Sequence, residues 1–355
     1  MVSPKFSSSN VFHNELKKRI SNYFKEIGKS PTGNGKLFVK AGILTLSFLL
    51  TYTHLVFFQP ILPLAIAESM IIGILTACIG FNIMHDGAHG SFSKYPIVND
   101  LAGLSLNFLG ANLFMWKTKH NVIHHAYTNI DGVDDDIQAA PILRLCESQK
   151  HYSFHRYQHI YFWFAYSFLY LFWIFFTDFK KYFTRKVGNM PLKKMAVRDH
   201  ISFWGFKLFY IILFMAIPIH TWGFLPWLAG FLIFSMTAGL LLSIVFQLAH
   251  TVEETSFPVM VSNQINEDWA VHQLKTTANF ATKNKFISWM VGGLNYQVEH
   301  HLFPKISHVH YPEISKIVKN TCSEFGVPYL EHPKMRWAIN SHINHLRSLG
   351  KREAA

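Results

Sequence analysis

The stretch ILPLAIAESMIIGILTACIGFNIMHDGAH, residues 61–89, joins a long apolar run to a pair of histidines. Residues 61–83 contain a single charged side chain, Glu68, and about 20 predominantly apolar residues are enough for a helix to cross a bilayer. His85 and His89 follow at once, and residues four apart lie on one face of a helix. The stretch therefore predicts a membrane-spanning helix whose end presents two imidazoles that can reach one metal ion.

Three other apolar runs are long enough to span a membrane. They occupy residues 37–58, 201–219 and 225–248, so the chain has two pairs of runs, each split by a short break. Two spans joined by a short break must be antiparallel. We therefore predict an all-α integral membrane protein with four transmembrane helices arranged as two hairpins.

The distribution of lysine and arginine predicts the orientation of the hairpins. The breaks at 59–60 and 220–224 contain neither residue type, whereas segments 1–36, 84–200 and 249–355 contain nearly all of them. Segments rich in Lys and Arg stay on the cytoplasmic side of a membrane. We therefore expect both termini and the central segment to be cytoplasmic. The excess of Lys and Arg that gives the net charge of +12 lies in these segments beside the apolar runs, as in a membrane protein. We therefore expect no nucleic-acid partner.

The composition excludes several classes of protein. Of the 355 residues, 50% are apolar and only 15% are charged, which rules out a disordered chain. The three cysteines are widely spaced, which rules out a disulfide framework and a cysteine-rich zinc module. Histidine is unusually frequent at 21 residues, and a membrane-like chain so rich in it is expected to bind a ligand through imidazole.

Two further histidine clusters lie next to predicted spans. They are HNVIHH, with His120, His124 and His125, and QVEHH, with His300 and His301. In an α-helix His120 and His124 align, while His125 points about 100° away and could reach a second ion. All three clusters fall on the predicted cytoplasmic side.

A fourth set of histidines provides an internal comparison. His151, His155 and His159 have the same four-residue spacing as the first pair. No doubled histidine accompanies them, and such a stripe arises by chance in helical chains. We interpret these three residues as interfacial side chains and not as ligands.

The number of clustered histidines indicates two metal ions. One zinc ion needs four ligands, or three and a water, which is fewer than the seven histidines in the three clusters. Imidazole binds iron, copper, nickel and zinc, so the ligand type alone does not choose the metal. If the metal is iron with open coordination positions, its place next to apolar spans indicates that it activates dioxygen and attacks an unactivated C–H bond.

The three clusters resemble the histidine boxes of the membrane fatty acid desaturases, in their order and spacing. Gln297, the first residue of the third box, resembles the front-end branch of that family, whose members act on acyl-lipid or acyl-CoA substrates. These enzymes insert a double bond between an existing one and the carboxyl end. The resemblance extends over the flanking residues 125–129, 247–250, 272–273, 276–280 and 295–304.

The resemblance implies a centre of two Fe²⁺ ions with O₂ as co-substrate. Its ligands would be the box histidines His85, His89, His120, His124, His125, His300 and His301, with one more residue from outside the boxes. We expect His250 in that role because it lies at the cytoplasmic end of the fourth span, and His272 is a second candidate. Gln297 replaces a histidine found in many relatives. It could ligate through its oxygen, hydrogen-bond a bound water or orient its neighbours.

The resemblance also implies the reaction, in which two hydrogens leave adjacent carbons of an acyl chain and a cis double bond and water are formed. Carboxylates beside the ligands could hydrogen-bond to imidazole N–H groups and fix their tautomers. The candidates for this supporting role are Asp86, Glu299, Asp134, Asp135 and Asp136. For the run of three aspartates, a solvated loop is an equal alternative.

Two apolar stretches remain that could be mistaken for spans. Residues 101–116 are too few to cross a bilayer. Residues 160–176 are long enough, but an odd number of crossings between box one and box three would separate the boxes. We therefore predict that residues 160–176 do not cross on their own and form an aromatic interfacial helix.

The chain is expected to have three segments: a polar cytoplasmic N-terminal segment 1–36, a membrane desaturase domain 37–312, and a basic cytoplasmic C-terminal segment 313–355. Some front-end desaturases carry a fused b-type cytochrome with a His-Pro-Gly-Gly haem loop. Here His332-Pro333 is followed by Lys334-Met335. We therefore expect an external electron donor, either a ferredoxin or a free b-type cytochrome with its reductase, in addition to membrane lipids as partners.

Two other enzyme classes are alternatives. A lipid or hydrocarbon hydroxylase would use the same boxes but insert oxygen. A zinc-dependent membrane lipid hydrolase would need only about three histidines and a water, which leaves the other box histidines without a role. A metal transporter would place polar ligands within the spans, and the second and fourth runs have almost none.

Overall fold

The computed structural model of the chain describes residues 5–6, 10–260, 264–265 and 267–351. The outermost residues of the predicted segments 1–36 and 313–355 lie outside this part. Within these residues four helices are long and apolar enough to cross a membrane, the number that was predicted, and a bent helix pair would be a fifth if it formed one span. We call them the first to fourth long helices: Gly35–Phe58, Leu62–His89, Val197–Trp222 and Phe224–His250.

The second and fourth long helices continue beyond the apolar runs that predicted them. The runs end at residues 83 and 248, but the helices end at His89 and His250. A π-helical segment, Gly80–Met84, leads directly into the helical first box. The predicted break between the third and fourth long helices was also too wide. Only Gly223 separates the two helices. Its φ of 80° ends the third long helix, and glycine adopts this φ without strain.

The remaining helices are short. The α-helices are Val11–Ile27, Pro96–Phe108, Leu113–Lys117, His125–Tyr127, Gln158–Ser167, Leu169–Phe172, Asp178–Thr184, Trp269–Lys275, Lys285–Met290, Gln297–Leu302, Tyr311–Phe325 and Met335–Gly350. Three further π segments are Thr118–His124, Trp173–Thr177 and Ile212–Ala216, and the 3₁₀ turns are Asp135–Ile137, Ser153–Tyr157 and His308–His310.

The all-α prediction missed three two-stranded sheets. Lys5–Phe6 pairs in parallel with Gln264–Ile265, Lys186–Val187 pairs antiparallel with Met190–Pro191, and Ala278–Phe280 pairs in parallel with Leu330–His332. Each strand has two or three residues, which is too short to give an alternating pattern in the sequence.

Residues from both ends of the chain pack around box three. The amphipathic helix Val11–Ile27 buries Phe12 and Leu16 in a core shared with the helices Trp269–Lys275 and Tyr311–Phe325. The same core contains Val298 and Leu302 of the box-three helix. The division of the chain at residue 312 stays a prediction, and the helix Tyr311–Phe325 runs across it.

The two ambiguous stretches form short or bent helices. Residues 101–116 are divided between the helices Pro96–Phe108 and Leu113–Lys117, neither of which is long enough to cross. Residues 160–176 lie in a helix pair, Ser153–Ser167 and Leu169–Thr184, that bends by 57°. That this pair does not cross on its own stays a prediction.

A close crossing of the second and fourth long helices aligns their histidine-bearing ends. A Cβ atom on Gly73 would lie 2.5 Å from the carbonyl oxygen of Phe234 and 2.7 Å from Cβ of Thr237. The two backbones can therefore approach only because residue 73 has no side chain. Both helices run from this crossing toward the histidines that end them.

We predict that Gly73→Ala lowers stability by about 1–3 kcal/mol, because the added methyl group must push the two helices apart. Gly42→Ala is the matched control. Gly42 lies on the first long helix, and a Cβ there meets no atom within 4 Å. Thermal unfolding of the purified proteins in detergent measures both variants. An unchanged midpoint for Gly73→Ala would contradict the close crossing.

Candidate metal centre

Seven buried or nearly buried histidines from four parts of the chain form two groups, and an eighth, His125, lies between them; His120 and His124 also form a set with Asp136. One nitrogen from each member of a group lies within 4.8 Å of those of the other members, which is close enough to share an ion. The ring of His125 lies between the groups, 4.6 Å from the ring of His300 and 4.5 Å from that of His301. The first group is His85, His89, His120 and His300, and the second is His124, His250 and His301.

The π-helical turn Thr118–His124 explains why all three histidines of box two face inward. An α-helix would turn His125 about 100° away from His124. A π turn has more residues per turn, so residues five apart come close to alignment. The Nε2 atoms of His120 and His125 are 3.2 Å apart. The predicted direction of His125 was therefore wrong, because it assumed regular α-helical geometry.

The separations of the ring nitrogens match atoms that bind one ion. Nε2 of His85 lies 3.3 Å from Nε2 of His120. Two imidazole nitrogens, each about 2.1 Å from a common metal, are about 3.0–3.4 Å apart. These nitrogens converge on one position.

Five Nε2 atoms in the centre, in addition to Nδ1 of His125, have no hydrogen-bond partner within the described residues. They are the buried Nε2 atoms of His89, His124, His250, His300 and His301. A buried polar atom without a partner costs about 1–3 kcal/mol, and such atoms are rare in native proteins. Five of them in one place fit metal ions as the missing partners.

In four of these five rings the other nitrogen, Nδ1, already has a hydrogen-bond partner. In each ring the Nδ1–H can donate to a fixed acceptor, which holds the tautomer that leaves the Nε2 lone pair free. The pairs are His124 with Asp134 at 3.0 Å, His250 with the carbonyl oxygen of Thr276 at 3.2 Å, His300 with the Tyr311 hydroxyl at 3.1 Å, and His301 with Oε1 of Gln273 at 2.8 Å.

Burial keeps most of the box histidines outside the long helices neutral. It lowers the pKa values of His120, His125, His300 and His301 well below the ordinary 6.5. Their lone pairs are therefore available at neutral pH. His124 differs: burial lowers its pKa, but the charges of Asp134 and Asp136 outweigh this effect and raise it.

Two of the five predicted carboxylates contact a box histidine. Asp134 accepts from His124, and Oδ2 of Asp136 lies 3.4 Å from Nδ1 of the same ring. Asp136 also pairs with Lys119 at 2.5 Å. Asp135 instead pairs with Lys181, at 3.1 Å.

Asp86 and Glu299 hydrogen-bond to other parts of the chain. Oδ2 of Asp86 accepts from the Ser307 hydroxyl at 2.7 Å and lies 3.0 Å from Nδ1 of His308. These contacts join box one to the segment that follows box three.

Glu299 is buried between two donors, Nδ2 of Asn279 at 2.8 Å and the Tyr329 hydroxyl at 2.9 Å. Burial raises the pKa of Glu299 to about 8. Its contacts join the box-three helix to the sheet strand Ala278–Phe280 and to the chain before the strand Leu330–His332.

His272 and Gln297, the two further candidate ligands, are placed differently. His272 belongs to neither histidine group among the described residues. Its Nδ1 lies 3.5 Å from a carboxylate oxygen of Glu267, and its ring packs on that of Phe6. Gln297 is buried on the box-three helix, and its amide nitrogen has no hydrogen-bond partner in the described part of the chain.

The histidines at 151 and 155, which have the same spacing as the first box, lie outside the metal centre. His151 bonds to the carbonyl oxygen of Gly350 and His155 to that of Pro141. Neither residue belongs to the histidine groups formed by the described residues.

The Nδ1 acceptors Tyr311, Gln273 and Thr276 were not predicted as functional residues. Gln273 and Thr276 belong to the flanking residues that resemble the desaturases, which was the available signal. Tyr311 carries no local signal, because it meets His300 only after the chain turns back on box three.

An apolar cavity reaches the first histidine group from between the long helices. His85 and Trp116 line its end near the histidines, and the Trp116 ring stacks on His120 with centroids 4.4 Å apart. The other lining residues are Thr76, Gly80, Phe81, Met84, Leu106, Leu109, Ala111, Tyr170, Trp173, Leu242 and Phe246.

Several known proteins are similar to this chain over almost its whole length. The sn-1 linoleoyl-lipid 6-desaturase of Arthrospira platensis is 37% identical over 346 residues, covering 97% of this chain and 94% of that protein. The sn-1 linoleoyl-lipid 6-desaturase of Synechocystis sp. is 34% identical, with 98% of both chains covered. The acyl-lipid (8-3)-desaturase of Physcomitrium patens is 34% identical over 96% of this chain and 72% of that protein.

The family model described as fatty acid desaturase matches residues 60–333, a range that contains all three histidine boxes and His250. With this match and the full-length relatives, the resemblance read from the boxes is confirmed. The chain belongs to the fatty acid desaturase family, in its front-end branch, and is an oxidoreductase that introduces double bonds into fatty acyl chains.

Proposed function

We propose that this desaturase acts on acyl chains of membrane lipids and inserts a cis double bond at carbon 6 of a linoleoyl lipid. The observation that carries the catalytic part is the set of five unpartnered Nε2 atoms in a histidine centre whose His85 also lines an apolar cavity. The choice of substrate rests on the two full-length relatives named as linoleoyl-lipid 6-desaturases.

The two histidine groups would each hold one iron ion, and His125 lies where it can serve either. Nitrogen ligands of neutral imidazole suit iron. When bound, the iron pair supplies dioxygen activation and the oxidising power that removes two hydrogens from the acyl chain. Electrons come from an external donor, for which a ferredoxin or a free b-type cytochrome is the proposal.

The side chains of the protein orient the substrate and the ligands. The apolar residues beside His85 would exclude water and place one C–C bond of the hydrocarbon at the centre, which lowers the entropic cost of the reaction. The Nδ1 acceptors keep four imidazoles in one tautomer and one orientation. Gln297 lies on the same helix face as His300 and His301, and its role is to orient that side of the centre.

We further propose that the four long helices cross the membrane with the histidines and both termini on the cytoplasmic side. The asymmetry of lysine and arginine supports this orientation. The bent helix pair Ser153–Ser167 and Leu169–Thr184 then lies in the interface. In this arrangement residues near 150 and near 190 face the same side.

We predict that cysteines introduced by Lys150→Cys and Asn189→Cys react with a membrane-impermeant maleimide only after cells are opened. Ile61→Cys, in the break between the first two long helices, should react in intact cells. All three positions are exposed, whereas the native cysteines are buried. Labelling of Lys150→Cys and Asn189→Cys from opposite sides would contradict the topology.

We predict that His301→Ala abolishes the new double bond in a host supplied with linoleate and a competent electron donor. The reason is that His301 provides one of the unpartnered nitrogens. His151→Ala is the matched control, because it removes a histidine that bonds only to a backbone carbonyl. Fatty-acid profiles measure both variants. Hydroxylated fatty acids in place of an added double bond would contradict the proposed reaction, and equal products from wild type and His301→Ala would contradict the site.

We predict that Tyr311→Phe weakens binding of one iron ion by about 10–100-fold, since losing the partner of a metal-ligating histidine has this effect. The variant removes only the oxygen that faces His300. Tyr161→Phe removes a hydroxyl bonded to the carbonyl of Ile142, outside the centre, and serves as control. Competition with a chelator measures the affinities, and equal affinities would show that Tyr311 has no part in holding His300.

A further inference from the structure

The side chain of Asn129 is within hydrogen-bonding distance of segments to which the proposed mechanism gives no link. Asn129 follows box two in a left-handed conformation, with φ 59°. Its Nδ2 lies 2.7 Å from the carbonyl oxygen of His250, 3.2 Å from that of Ser256 and 3.3 Å from that of Thr276. One side-chain amide therefore joins box two, the end of the fourth long helix with the loop after it, and the end of the helix Trp269–Lys275.

These contacts reach His250 from two directions. The carbonyl oxygen of His250 accepts from Asn129 directly. The carbonyl oxygen of Thr276, which also lies within reach of Asn129, accepts from Nδ1 of His250. Asn129 therefore holds both the backbone of this ligand and the group that orients its ring.

The backbone of Asn129 reaches a second histidine. Its N–H donates to Oδ2 of Asp134 at 2.9 Å, and the same carboxylate accepts from Nδ1 of His124 at 3.0 Å. The orientation of the His124 ring thus depends on where the turn at Asn129 places Asp134.

The preceding residue reaches the third member of the same group. The hydroxyl of Thr128 lies 2.9 Å from Oε1 of Gln273, which accepts from Nδ1 of His301 at 2.8 Å. The turn at residues 128–129 therefore contacts the partners of all three histidines in the second group. Within the described residues, no hydrogen bond joins Asn129 to His85, His89, His120 or His300.

Asparagine combines tolerance of the left-handed conformation with side-chain hydrogen-bond donors, and neither aspartate nor glycine has both. It tolerates the left-handed conformation better than other residues with a side chain, glycine aside. Its amide donates two hydrogens toward three carbonyl oxygens, whereas an ionised aspartate accepts only. Glycine would keep the backbone conformation and lose these donors.

We propose that Asn129 is a positioning residue for the second histidine group, His124, His250 and His301, and that it acts on this group independently of the first. The proposal rests on the assignment of two metal ions above. It predicts a protein that keeps one ion site and loses the other when the side chain of Asn129 is removed.

The test is anaerobic titration of metal-free, purified full-length protein with Fe²⁺, followed by bound-iron analysis after competition with a chelator. Wild type should bind two ions. Asn129→Gly should bind one ion with wild-type affinity and the second about 10–100-fold more weakly. Asn129→Asp, which keeps the size of the side chain, should behave in the same way because it cannot donate.

Asn107→Ala is the matched control. Asn107 is also buried and bonded to the backbone and to Ser202, and within the described residues no hydrogen bond joins it to a member of the second group. It should bind two ions with wild-type affinity even if its thermal stability falls. The ion retained by the Asn129 variants demonstrates that they are folded.

The outcomes separate this proposal from the function on which it rests. Two ions bound at wild-type affinity by both Asn129 variants would overturn the positioning role. Loss of both ions from both variants would overturn its restriction to the second group. Wild type that binds one ion or none would overturn the two-ion assignment itself.

Discussion

The structure depends on a cluster of buried imidazoles whose Nε2 atoms have no partner within the described chain. Each such nitrogen destabilises the fold by about 1–3 kcal/mol unless something binds it. The cluster persists because the surrounding residues hold four of these rings by the other nitrogen, Nδ1. Asp134, the carbonyl oxygen of Thr276, Tyr311 and Gln273 provide these bonds. The fold thus brings five unpaired Nε2 atoms together where a metal could bind them.

The long helices and the short ones have different tasks in this arrangement. The close crossing at Gly73 brings the helix ends at His89 and His250 to the same side. The short helices then supply box two, box three and the groups behind them. Helix Val11–Ile27 packs on the helices that surround box three. A change far from the histidines in sequence can therefore alter the centre through these contacts.

A carboxylate that is next to a ligand in sequence does not support the ring of that ligand. Asp86 and Glu299 are neighbours of ligands in sequence, yet both face away and join their boxes to remote segments. A helical residue next to a ligand points about 100° away from it, so direct support of the adjacent ring is not available to it. Asp134 supports His124 because the chain turns after box two and returns the carboxylate to the ring.

Local sequence determined the four long helices, the family and the box histidines. Length, hydropathy and residue spacing act within a few turns of one helix, and the boxes at residues 85–89, 120–125 and 297–301 are each that short. Only the tertiary structure decided how the histidines divide into two groups and which residues orient them. Gln273 is 28 residues from His301, and Asp86 is 221 residues from Ser307. Such partners meet only when the helices pack. The inward direction of His125 likewise depends on a π turn, which no periodic pattern in the sequence marks.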